Sequence, residues 1–188
     1  SLIEIGPGEG TLSRDLIVAI AEIAPALICK IELVLVELNV GMRRRQEKVV
    51  NNLEGINCRW SSIEDLILRP VTGVVIANEV LDAFPVERLV FSDNKVFRQG
   101  VSLKKINDEY SLEFVDLKPT SKIIKFLNES NSLLKIEFPP KDICNRWVTE
   151  WHCDVPSWFG NLSKVLIDGA LLVVDYAMES KRYYNAMR

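Results

Sequence analysis

Three glycines alternate through Glu4-Ile5-Gly6-Pro7-Gly8-Glu9-Gly10, between a short apolar run and a helical pattern. A turn built this way lets backbone approach a ligand where side chains would collide with it. The helix that follows presents free N–H groups and a positive end, which suits a carboxylate or a phosphate. Acidic residues stand after two further apolar runs. Glu37 closes Leu33-Val34-Leu35-Val36, where it can accept hydrogen bonds from sugar hydroxyls. Glu79 and Asp82 follow the apolar run 73–77 and Asn78. Carboxylates there can orient a cationic nitrogen, offset its charge and accept a departing proton. A dinucleotide fingerprint would read G-x-G-x-x-G, but Thr11 stands where its last glycine belongs, which disfavours an NAD-dependent oxidoreductase. Glu37 also lies about thirty residues after Gly6, beyond the ~20 of that fingerprint, a spacing that a longer first helix and loop would explain.

Other residue groups read as structure before chemistry. The four cysteines, Cys29, Cys58, Cys144 and Cys153, contain no C-x-x-C pair, and with one histidine, His152, they make no zinc framework. No metal site is expected, and the thiols read as free in a reducing compartment. Arg43-Arg44-Arg45 has Glu47 and Glu54 nearby and no aromatic interleaving, so a solvated helix face is the better reading than a nucleic-acid contact. The chain as a whole has 23 Lys and Arg against 26 Asp and Glu, a formal charge of −3, without the basic excess of a nucleic-acid binder. His152 can serve as a general base or pack among its aromatic neighbours. Trp147, Trp151 and Trp158 form either a core or a surface that grips a partner protein.

The elements that must position these residues follow from periodicity. Leu2–Ile5 is a strand that breaks into the glycine turn, and Leu12, Leu16, Ile20 and Ala24 recur at helical spacing until Pro25. Residues 31–38 and 73–77 read as strands apolar on both faces, 42–53 as a surface helix, 56–60 as a third strand, and 170–176 as a last buried strand. Strands alternating with helices imply an α/β fold with a doubly wound parallel sheet. From 86 to 165 the rhythm changes. Strands are expected over 86–91, 96–103 and 110–117, joined by Ser92-Asp93-Asn94 and Asn107-Asp108. A helix follows Pro119, then a strand over 133–138, then the tryptophan-rich stretch. The predicted division is a core of 1–85 and 166–188 with an α+β insertion at 86–165, the substrate or partner region. No apolar stretch approaches the ~20 residues of a membrane span. Ser1 runs straight into a strand without a signal peptide, and residues are expected beyond both ends.

The run E-I-G-P-G-E-G resembles motif I of S-adenosylmethionine-dependent methyltransferases. Ile76-Ala77-Asn78-Glu79-Val80-Leu81-Asp82-Ala83-Phe84-Pro85-Val86 is more distinctive. With Leu35-Val36-Glu37 ahead of Arg45-Gln46, and Gly169-Ala170-Leu171-Leu172-Val173-Val174-Asp175-Tyr176, it resembles the MidA-like family, which includes a mitochondrial arginine methyltransferase that assists complex I assembly. The resemblance covers nearly the whole chain and is patchy from 91 to 164. Val80-Leu81 replace the family's aromatic pair, Phe84 its leucine, and Ala177 the glycine after Asp-Tyr. Glu137 before Phe138-Pro139-Pro140 matches a family stretch only loosely.

The resemblance implies a Rossmann-like class I methyltransferase with S-adenosyl-L-methionine as cofactor. Glu4, Gly6, Pro7, Gly8 and Gly10 would cradle its methionine end, with Glu4 helping to hold the amine. Glu37 would take the ribose, Ser62 and Ile63 the adenine region, and Asn78 would shape the pocket. Glu79 and Asp82 would be the catalytic pair; alternatively Asp82 caps a turn ahead of Pro85 and Glu79 is solvated. The implied activity is arginine N-methylation of a partner protein, in the bacterial cytoplasm or the mitochondrial matrix. A cofactor-binding assembly module with little turnover is the alternative. No oligomeric state follows from the pattern.

Overall fold

The computed structural model describes residues 1–133, 146–179 and 182–183. Beyond Leu133, the strand expected over 133–138 lies outside these residues, as do Glu137, Cys144 and 184–188. In chain order the elements are β1 (Leu2–Ile5), α1 (Thr11–Ile23), β2 (Glu32–Val36), α2 (Val40–Val50), β3 (Asn57–Ser61), α3 (Ile63–Leu68), β4 (Val71–Asn78), β5 (Glu87–Ser92), β6 (Lys95–Ile106), β7 (Glu109–Leu117), α4 (Ser121–Leu133), β8 (Trp147–Trp151), α5 (Val155–Val165) and β9 (Leu166–Val174). Short 3-10 turns occupy Pro25–Lys30 and Leu81–Ala83. Two compact units result, Ser1–Phe84 with Asp154–Tyr176, and Pro85–Cys153 with Ala177–Arg188.

The first unit is a parallel sheet in the order β3-β2-β1-β4-β9. Successive residues of a strand face opposite sides, and both sides here are apolar. Ile3, Ile5, Val34, Val36, Val75 and Ala77 pack with Leu66 of α3 and with Trp158, Leu162 and Val165 of α5. On the opposite side Leu33 and Leu35 meet Ile17 of α1 and Val50 of α2. The α/β doubly wound fold expected from the alternation of strands and helices is the observed one. Helix ends follow local chemistry. Asn39 caps α2 by accepting from the N–H groups of Gly41 and Met42, and Ser62 caps α3 by accepting from Asp65 N–H.

The second unit is an antiparallel sheet in the order β7-β6-β5-β8, with α4 against one face. Leu89, Phe91, Ile123, Trp147 and Trp151 form its core, and Phe126 stacks on Trp151 with ring centroids 4.3 Å apart. Both hairpin turns use the predicted residues: Asp93, Asn94, Asn107 and Asp108 all have positive φ, as two-residue turns that match strand twist require. Val101 and Leu103 of β6 and Tyr110, Leu112 and Phe114 of β7 are between 60% and 73% exposed. Past Arg98, β6 pairs with β7 rather than β5, so these side chains line a two-stranded ribbon.

Two boundaries differ from the expectation. Helix α5, assigned by sequence to the insertion, belongs to the first unit because Trp158, Leu162 and Val165 fill the core beneath β1 and β4. The segment after Tyr176, assigned to the parallel core, groups with the second unit, where Tyr183 hydroxyl bonds Thr149 Oγ1 at 2.5 Å and its ring meets Trp147 edge-on. The tryptophan stretch also contains a strand, β8, which the sequence reading did not foresee. Among the described residues no helix is long and apolar enough to cross a membrane.

Candidate functional site

The parallel strands end level with one another. Ile5 pairs with Val36 and Ala77, Val36 with Ser61, and Ala77 with Val173. The glycine turn, Glu37, Ser62, Asn78 and Asp175 therefore leave the sheet along one edge. The winding direction reverses between β1 and β4, which is where a crevice opens in such sheets.

Gly6, Gly8 and Gly10 all have positive φ, at 62°, 53° and 83°. The turn is closed by Gly10 N–H donating to the Pro7 carbonyl at 2.7 Å and tied to β2 by Gly6 N–H donating to Val36 at 3.1 Å. A Cβ on Gly6 would lie 3.3 Å from Val80 Cγ2, and one on Gly10 would lie 3.6 Å from Gln46, whereas one on Gly8 would meet nothing within 4 Å. Open space above bare backbone, next to the start of α1, fits an anionic or zwitterionic tail.

Glu4 points beneath this turn and is only 4% exposed. Its carboxylate accepts from the Ser13 hydroxyl and from the Ser13 backbone N–H, so it caps α1 from the neighbouring strand. Burial raises its pKa, and the two Ser13 hydrogen bonds oppose that shift without cancelling it.

Glu37 is held on both carboxylate oxygens. Oε1 accepts from Asn39 N–H at 2.7 Å and Oε2 from Gln46 Nε2 at 3.2 Å. The same Gln46 Nε2 donates to the Gly8 carbonyl at 2.8 Å, and Gln46 Oε1 accepts from Trp60 Nε1 at 2.8 Å. Ser62 and Ile63 stand at this edge in structural roles, the first as the α3 cap and the second packed on the apolar core.

Beyond β4 the backbone turns sharply. Glu79 has φ 51°, a left-handed conformation uncommon for a residue with a side chain. Its N–H donates to Val174 at 2.8 Å, and the Tyr176 hydroxyl donates to Glu79 Oε1 at 3.2 Å. Asp175 Oδ2 accepts from Leu81 N–H at 2.8 Å, fastening the 3-10 turn that carries Asp82. The hydrogen bond to Glu79, then the charges of Glu79, Asp82 and Asp175, push the Tyr176 phenol upward and keep it protonated. Asn78, Glu79 and Asp82 are exposed.

The structure thus brings the glycine turn, Glu37, Asn78, Glu79 and Asp82 to one edge. It adds Ser13, Gln46, Trp60, Asp175 and Tyr176, to which the residue pattern alone had assigned no role. Gln46 carried one signal: it lies one turn before Val50, on the inward stripe of an otherwise charged helix. Asp175 and Tyr176 carried another, since polar residues that end a buried strand arrive at the ligand edge. Among the described residues no group of three or more His, Cys, Asp or Glu could hold a metal ion.

Comparison with known proteins bears on this edge. A crystal structure of an uncharacterized protein from Burkholderia thailandensis matches with 26% identity and a TM-score of 0.74, covering 100% of this chain and 46% of that one. A second structure from that organism, described as a "likely methyl transferase" bound to S-adenosyl-homocysteine, matches with 27% identity and a TM-score of 0.73, covering 98% of this chain and 43% of that one. The chain thus spans less than half the length of either protein. No curated protein matches it. A family model described as "Putative S-adenosyl-L-methionine-dependent methyltransferase" matches residues 1–188, and the chain belongs to that family.

Proposed function

We propose that this chain carries the cofactor edge of a methyltransferase that uses S-adenosyl-L-methionine to methylate an arginine of a partner protein, in the manner of enzymes that assist respiratory complex assembly. Family membership and the neighbour bound to S-adenosyl-homocysteine support the cofactor. The observation that carries the acceptor reading is the tethered carboxylate of Glu79, held by Tyr176 on a turn that Asp175 fastens.

When bound, the cofactor supplies an electrophilic methyl group on a sulfonium. The chain's own residues do the rest. Bare backbone at Gly6–Gly10 receives the amino-acid tail, and Glu37 accepts from the ribose hydroxyls. Asn78 shapes the pocket, and the backbone at Ser62 and Ile63 borders the adenine. A guanidinium stays protonated in proteins and is a poor nucleophile. Glu79 and Asp82 orient its nitrogen, offset its charge and accept the proton it loses. Alignment and exclusion of water can contribute ~7–11 kcal/mol to such a displacement. Free thiols at Cys29 and Cys58 suit a reducing intracellular compartment.

Labelled cofactor incubated with lysate proteins and the full-length protein tests this reading. Glu79→Gln and Asp82→Asn should abolish transfer and leave cofactor affinity intact; unchanged turnover in both would remove the assignment. A cofactor-binding assembly module with little turnover is the second reading. It is favoured by the exposed ribbon of Val101, Leu103, Leu112 and Phe114, and it predicts partner capture without label.

A further inference from the structure

We infer that Gln46 is a positioning residue that locks the glycine turn to the ribose carboxylate, so that the two halves of the cofactor site bind as one. The inference rests on the cofactor reading above. Gln46 is on α2 and is fully buried, at 0% exposure. Its orientation is dictated by Trp60, whose indole nitrogen can only donate. Oε1 must therefore face Trp60, at 2.8 Å. Both N–H groups of Nε2 are left for acceptors, and two acceptors are present: the Gly8 carbonyl at 2.8 Å and Glu37 Oε2 at 3.2 Å.

The consequence is mechanical as well as electrostatic. Gly8 O and Glu37 Oε2 are both electron-rich and have no attraction for each other. One amide donating to both holds them at a fixed separation. Glu37 is otherwise constrained through Oε1 by Asn39 N–H, and Arg43 Nε donates to its carbonyl at 2.7 Å. Only the Gln46 bond joins this carboxylate to the turn, among the contacts described for either. Preorganisation of this kind lowers the ordering cost of binding.

The test is calorimetry on the full-length protein with two probes, S-adenosyl-homocysteine, which spans both halves, and 5′-methylthioadenosine, which lacks the amino-acid tail. Gln46→Met keeps the length of the side chain and removes its donors. It should weaken S-adenosyl-homocysteine about tenfold and methylthioadenosine several times less, since a hydrogen bond to a charged group is of that order. Trp60→Phe frees Oε1 without deleting the amide and should give a smaller loss with the same preference, which keeps the test alive if the methionine variant fails to fold. In both, the KM for cofactor should rise more than kcat falls. Equal weakening of the two probes, or none, would overturn the inference. Failure of the wild-type protein to bind either probe would instead sink the cofactor reading itself.

Discussion

A carboxylate buried beneath a glycine turn is an expensive group to keep ionised. Glu4 offsets part of that cost by capping α1 through Ser13, yet its pKa remains above the ordinary 4.5. The folded state therefore holds its proton more tightly than the unfolded chain, and the stability this group contributes is greatest below the ordinary value and falls as pH rises toward the raised one. Glu4→Gln keeps an acceptor for Ser13 and removes the titration. Its Tm relative to wild type should climb as pH is raised from about 4.5, and differential scanning calorimetry across that range checks the sign. Cys58 offers a second residue-scale test. Burial first, and the charge of Glu32 second, push its thiol up to about 11. Alkylation at pH 8, followed by peptide mass spectrometry, should modify exposed Cys29 well before Cys58.

At the scale of elements, the unit that matters is strand, turn and helix. Gly8 has φ 53° with open space around its missing Cβ, so Gly8→Ala meets backbone strain of about 1–2 kcal/mol but no collision within the chain. Its Tm should fall only a few degrees, while affinity for S-adenosyl-homocysteine falls far more, because the added methyl occupies the approach to the ligand. A comparable loss in both measurements would mean that the turn is structural. Helix α5 gives the complementary case. Leu162 is buried in the core under β1 and β4, and Leu162→Ala should cost about 2–5 kcal/mol in denaturant titrations. Its place in the first unit was hidden because helical periodicity reports an apolar face without reporting which sheet receives it.

For the molecule as a whole, the two units meet opposite demands. The parallel sheet must be covered on both sides and draws helices from distant sequence, whereas the antiparallel sheet grows by local hairpins whose turns are written in Asp93-Asn94 and Asn107-Asp108. Its ribbon leaves Leu112 and Phe114 at 73% and 63% exposure. Replacing both with Ser should change stability by about 0.5 kcal/mol or less per site and reduce binding of a hydrophobic dye, measured by fluorescence.

The amino-acid sequence by itself determined the doubly wound class, the glycine turn, the cofactor family and the two hairpin turns. Each of these depends on a local rule: side-chain period, positive φ, or backbone left bare. Tertiary structure alone decided that Ser13 holds Glu4, that Gln46 joins Gly8 to Glu37, that Asp175 and Tyr176 hold the turn bearing Glu79, and that α5 packs beneath β1. Those pairings join residues on different elements, and a hydrogen bond or a packed contact is chosen by proximity in space, which periodicity does not record.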